Sequence, residues 1–97
     1  MIDSGCSRSP FQTFTKAVPT GTAEPLSTDG ELVLRTGFVV RAVDGNTVAV
    51  YLVEKGGAVG DGEQLEAGDR ASIGMQRPAL VYCIAAAAGQ VLKIWGA

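Results

Sequence analysis

The sequence predicts an all-β domain: a compact antiparallel β-sandwich or jelly-roll-like barrel of about seven to nine short strands, with an extended N-terminal arm. Three observations predict it. Turn signals built from Gly, Pro, Asn, Asp and Ser recur roughly every 8–12 residues. No segment holds a helical apolar period of about 3.6 residues over about ten positions. Between the turns, Val, Tyr, Thr and Leu crowd short runs, and branched or aromatic side chains suit a pleated surface.

Residues 1–10 are small and polar without periodicity, and read as a flexible arm. Residues 11–18 alternate weakly, which suits an edge strand or a strand paired to a neighbouring subunit. The arm is placed at 1–20 and the sandwich at 21–97. Pro19-Thr20-Gly21 is a turn. Residues 22–26 form a short extended piece, whose Pro25 is barred from a central ladder position. After the turn Ser27-Thr28-Asp29-Gly30, residues 31–35 alternate as a strand, Leu32 and Leu34 opposite Val33 and Arg35. Gly37 marks a bulge or bend.

Residues 36–54 are the expected centre. Two apolar runs, 38–43 and 47–53, flank Asp44-Gly45-Asn46. That tripeptide suits a tight turn, so the two runs are expected to pair as a hairpin with other strands against it. On the second run Val48, Val50 and Leu52 face one way, and Thr47, Ala49, Tyr51 and Val53 the other. A Gly-rich loop, 55–62, leads to a short strand at 63–66, the turn Ala67-Gly68-Asp69 and a strand at 70–75. Residues 79–86 are apolar on both faces and are expected to form a strand buried on both sides. Ala87-Ala88-Gly89 turns into the last strand, 90–95, with Val91, Lys93 and Trp95 opposite Leu92 and Ile94.

Ninety-seven residues, 46% hydrophobic and 19% charged, allow one small domain with a core. A domain of this size buries a modest share of its surface, so association often adds stability. The net charge is −2 and the eight Lys and Arg are scattered, which argues against nucleic acid as a partner. No apolar run reaches the ~18 residues of a membrane-spanning helix, so no membrane is expected either. Ser4-Gly5-Cys6 has the small residues of a lipid-attachment site, but no apolar run precedes it. Cys83 reads as a buried free thiol and Cys6 as incidental, in a reducing, intracellular setting.

Chemistry is thinly represented. The chain has no histidine, which removes the commonest general base and most zinc and iron sites. No cofactor, no metal and no enzymatic activity are expected. The loop 56–62 lacks the spacing of a phosphate cradle and reads as a plain hairpin loop. Asp61, Glu63, Glu66 and Asp69 form an acidic cluster: either solvated turn residues or a calcium site without EF-hand spacing. Trp95, Tyr51 and Tyr82 either pack in the core or form a sugar-stacking platform. Arg35 and Arg41 lie inside apolar strands. Their stems either snorkel to solvent or pair with acids across a subunit interface.

From Gly21 onward the chain resembles a group of small phage structural proteins. The likeness lies in Thr22-Ala23 with Leu26, in Val40-Arg41-Ala42, and in the run NTVAVY at 46–51. It continues through the Gly-rich loop 56–62, the L-x-x-G-D turn at 65–69, the strand 80–86 and the final run 89–94. It departs after Tyr51, where Leu52-Val53-Glu54-Lys55 precedes the glycines that members place earlier. The L-x-x-G-D turn also occurs in cupins, whose metal-binding histidines are missing here. The resemblance implies a β-sandwich or jelly-roll virion component of the capsid-decoration, cement or head-completion kind, assembled in the host cytoplasm. It implies a homo-oligomer, a trimer first, whose partner is the major capsid protein or another virion protein. The arm supplies anchors for such a partner in Phe11 and Phe14, with Lys16 and Val18 beside them, and Arg35 and Arg41 are further contact candidates. Removal of residues 1–18 is then expected to leave the domain folded. The alternative is a carbohydrate-binding or adhesion module of a phage fibre or tail, which requires Trp95 or a tyrosine exposed beside polar groups.

Overall fold

The structure, a computed structural model, describes residues 12–96. Eight strands follow one another: β1 (Gln12–Ala17), β2 (Glu24–Pro25), β3 (Phe38–Ala42), β4 (Val50–Val53), β5 (Glu63–Leu65), β6 (Arg70–Ile73), β7 (Tyr82–Ala85) and β8 (Val91–Gly96). A single turn of 3-10 helix, Pro78–Leu80, precedes β7. The strands form two four-stranded antiparallel sheets, in the orders β1-β8-β3-β6 and β2-β7-β4-β5. The pairing is nested: β1 with β8, β2 with β7, β3 with β6, β4 with β5. The chain is thus one long hairpin doubled back at the β4–β5 loop. Two further pairings, β8 with β3 and β7 with β4, roll that hairpin into a sandwich. This is the strand order of a jelly roll.

Alternation decides what lies between the sheets. Phe38, Val40 and Ala42 of β3 and Leu92 and Ile94 of β8 point inward from the first sheet; Val50, Leu52, Cys83 and Ala85 face them from the second. Val18, Leu26 and Leu34, from segments between strands, close the ends of this core. Each large apolar side chain so buried contributes about 1.5–3 kcal/mol. A smaller cluster covers the outer face of the second sheet: Ala23, Val53 and Ile84, with Tyr51 and Tyr82 packed on it. Residues 82–85 are therefore buried on both faces, as the apolar pattern predicts. The predicted facing of Val50 and Leu52 against Tyr51 and Val53 also holds. Pro25 lies on the edge strand β2, where its missing N–H does no harm.

Several expectations need correction. The central hairpin does not form: β3 lies in the first sheet and β4 in the second. Gly45 does not take the left-handed conformation that a tight two-residue hairpin turn requires. Instead two buried amides steer the chain across. Asn46 acts as a strand residue with its side chain: Nδ2 donates to the Val91 carbonyl at 3.0 Å, and Oδ1 accepts from the Val91 N–H at 2.8 Å. Gln90 Oε1 accepts from the backbone N–H groups of Thr47 (2.7 Å) and Val48 (3.2 Å). Its Nε2 donates to Thr47 Oγ1 and to the Ala88 carbonyl, each at 3.0 Å.

Residues 12–17 form an edge strand, as one of the two readings of their weak alternation has it, and do not extend from the domain. They pair along their whole length with β8, and Val18 sits in the core, so the sandwich takes in residues placed in the arm, and loss of residues 1–18 strips a strand from it. Residues 31–35 form no strand; Leu34 anchors an irregular loop whose N–H donates to the Gln76 carbonyl at 2.6 Å. The strand expected from residue 79 starts at Tyr82. Pro78 starts the 3-10 turn instead, which suits its fixed φ, and Leu80 is left 58% exposed. Gly37 is a bend as predicted: its φ is +86°, and a Cβ there would lie 2.5 Å from the Ile73 carbonyl oxygen.

The amide corner makes a direct prediction. Gln90→Leu keeps the volume but leaves the Thr47 and Val48 N–H groups without an acceptor. It is expected to lower the unfolding free energy in urea by about 2–4 kcal/mol. Thr15→Ala, on the outer face, is expected to change it by less than about 0.5 kcal/mol.

Candidate functional site

The residues expected to bind a partner are dispersed. Phe11 lies outside the described residues. Phe14 is half-buried against the core, and Val18 is part of it. Lys16 reaches from β1 to β2, where its Nζ meets Glu24 Oε1 at 2.7 Å and joins the edges of the two sheets. An inward charge on an edge strand also discourages pairing with another edge. Arg35 is exposed on the loop before β3. Arg41 lies on the outer face of the first sheet and meets Asp44 Oδ1 at 2.9 Å.

The register makes that outer face a small lattice. One row crosses all four strands as Thr13, Trp95, Val39 and Ser72. The next row crosses as Thr15, Lys93, Arg41 and Arg70. Neighbours within a row lie about 5 Å apart, and the two rows are separated by about 7 Å, two residues along each strand. Arg41 therefore has a cation directly opposite on each side. Like charges so placed repel. Among the described residues only Asp44 forms an ion pair with the row.

At the neutral row the face dips into an open groove of about 250 Å³. Trp95, Val39 and Ser72 line it, together with Thr36, Gly37 and Gly96. Gly37 and Gly96 pack closely there: a Cβ on Gly96 would fall 2.5 Å from the Gly37 carbonyl oxygen. Trp95 is partly buried there. Tyr51 and Tyr82 lie on the outer face of the other sheet, so the three aromatics make no common platform.

A second surface lies where two loops are tied together. Leu34 N–H donates to the Gln76 carbonyl, Gln76 Nε2 donates to the Arg35 carbonyl, and Arg77 Nη1 donates to the Gly30 carbonyl. Val33 and Met75 flank this seam and are 40% and 44% exposed; Leu80 follows nearby on the 3-10 turn.

The acidic cluster serves turns. Asp61 Oδ2 accepts from the Ala58 N–H, and Asp69 Oδ2 from the Glu66 N–H. Among the described residues no group of three or more His, Cys, Asp or Glu is placed to hold a metal ion. Cys83 is a buried free thiol in β7. Burial pushes its pKa from 9.0 up to about 11, with Lys16 lowering it and Glu24 raising it less strongly. It is therefore protonated and poorly nucleophilic at neutral pH. The cation row is what residue-by-residue reading missed. Its trace in the sequence was Lys93, on the same face as Trp95 in an otherwise apolar strand.

Comparison with known proteins finds no match for the chain among protein-family models, curated proteins or solved structures.

Two outcomes are expected. Lys93→Ala and Arg70→Ala each relieve repulsion and raise the urea midpoint, by about 0.2–1 kcal/mol in unfolding free energy. The raised Cys83 pKa favours the folded state fully only below pH 9.0, where both states hold the proton. Above that the unfolded thiol ionises first, so stability falls as pH rises toward about 11. Between about pH 8 and about pH 10, wild type should therefore lose about 1 kcal/mol relative to Cys83→Ala.

Proposed function

We propose that the chain is a non-enzymatic structural component of a phage virion, a decoration, cement or head-completion protein that works as a homo-oligomer. The jelly-roll order supports this reading, because that architecture serves in viral shells and in lectin domains. So does the likeness of its strand and turn residues to small phage structural proteins.

The observation that carries the self-association is the loop seam. Val33, Met75 and Leu80 are three of the four most exposed large apolar side chains among the described residues. Val33 and Met75 sit on loops joined by three hydrogen bonds, and Leu80 follows on the 3-10 turn. Asp29, Glu31, Arg35 and Arg77 lie on the same two loops and carry both signs of charge. Exposed apolar side chains on loops that carry both signs of charge suit contact with a second copy of the same surface. A second copy is therefore the assigned occupant, and a trimer is the first expectation. The shell partner is the major capsid protein or another virion protein.

Native mass measurement on the full chain should return a multimer. Met75→Glu combined with Leu80→Asp should return a monomer with unchanged circular dichroism. A wild-type monomer at every concentration tested removes the self-association. Antibody labelling of gradient-purified particles from the encoding phage tests the virion placement, and unlabelled particles remove it.

A further inference from the structure

The outer face of the first sheet holds an arrangement that folding does not need. Lys93, Arg41 and Arg70 stand side by side on three adjacent strands, each directly opposite the next. Asp44 is bonded to Arg41, and among the described residues neither Lys93 nor Arg70 has an acidic partner. One pleat away lies the groove with the indole of Trp95, the Ser72 hydroxyl and the side chain of Val39. Thr13 and Thr15 continue both rows onto β1. An anionic group held by the cations would thus sit about 7 Å, one step of two strand residues, from a ring resting on the indole.

We propose that this face binds an acidic saccharide. A sugar ring packs on the indole of Trp95 over the groove, and its carboxylate or sulfate is held by Lys93 and the Arg70 guanidinium, with Arg41 between them. Guanidinium groups suit carboxylate and sulfate because their paired N–H donors match two oxygens at once. Ser72 and Thr13 offer hydroxyls to a ring rich in hydroxyls. The chain's net charge of −2 disfavours long polyanions such as nucleic acid, whose affinity comes from many phosphate contacts at once. The groove is also small, about 250 Å³, which suits one ring better than a continuous track. The groove adjoins the loop seam, but Trp95 and the cations lie on the sheet face and not on the seam loops, so substitutions at Lys93 and Arg70 test the saccharide site apart from the self-association.

Trp95 is the chain's single tryptophan, so its fluorescence reports this groove. The full chain is titrated with a heparin tetrasaccharide, sialyllactose, neutral lactose, oligothymidylate and sodium sulfate. Saturable change in Trp95 emission is expected with at least one of the two acidic saccharides and not with lactose. Raised salt should weaken it. Lys93→Ala combined with Arg70→Ala should weaken binding about tenfold or more. The same variant should melt no lower than wild type, an outcome that a purely structural role for the two cations does not produce. Absence of any saturable change overturns the proposal, as does equal affinity in the double variant. Tighter binding of oligothymidylate would reassign the face to nucleic acid, and an equal response to sulfate would reduce it to an adventitious ion only.

Discussion

The fold turns on one buried corner. At 43–49 the chain leaves the first sheet for the second, and backbone groups there lose their strand partners. Gln90 replaces them. Its carboxamide makes four hydrogen bonds, two accepted and two donated, which is the full capacity of that group. Asn46 does the complementary task from the other side, pairing with both backbone groups of Val91. An N–H left unpaired in such a place costs about 1–3 kcal/mol, against a total stability of about 5–15 kcal/mol for a typical domain. Hydrophobic burial supplies most of the stabilisation here but is indifferent to direction. The amides decide where the chain crosses, and they lock that crossing to the start of β8. Since β8 lies between β1 and β3, the register of three strands follows from them.

The same economy closes the sides of the sandwich. On one side Lys16 of β1 reaches Glu24 of β2. On the other the turn between β5 and β6 is held to β3, with the Gly68 N–H donating to the Ala42 carbonyl and the Ala42 N–H to the Asp69 carbonyl. One flank is thus bridged by an ion pair between the sheets, and the other by the β5–β6 turn, which extends the β3–β6 ladder. Interaction is left to the two sheet faces and the loop ends. Of these, the second sheet's outer face is already occupied by Ala23, Val53, Ile84 and the two tyrosines. The loop seam and the cationic face remain.

How much of this was legible in the sequence depended on the range of the contact. Features set by neighbours could be read: the strand class, the edge position of Pro25, the bend at Gly37 and the double burial of 82–85. Features set by distant pairing could not. Asp44-Gly45-Asn46 has the composition of a hairpin turn, and nothing nearby says that β3 will find β8 and β6 rather than β4. Lys16 and Val18 looked like a partner's contacts because β1 alternates weakly, yet its inward residues complete a core built mostly from later strands. The cation row was the least legible feature. Arg41, Arg70 and Lys93 are far apart in the chain and meet only through the registers of β3, β6 and β8. Arg41 could be marked as unusual inside an apolar run, but its neighbours could not be named without the sheet order.

That row also separates two kinds of polar residue in one small domain. Gln90, Asn46 and Lys16 are buried or half-buried, and each has its partners in place. Sequences that fold well make local choices agree with the whole, and departures from that rule collect where something other than folding is selected. Three adjacent cations on an open sheet face are such a departure. Threonine at any of the three positions would suit a strand and remove the repulsion. The repulsion is small because water screens it, which is why a fold this size can carry it. It becomes an advantage once an anion lies across the row: the attraction then acts from three side at once, beside an indole that excludes water from part of the contact. The like charges that this fold sets side by side are therefore on its surface, one pleat from its only tryptophan.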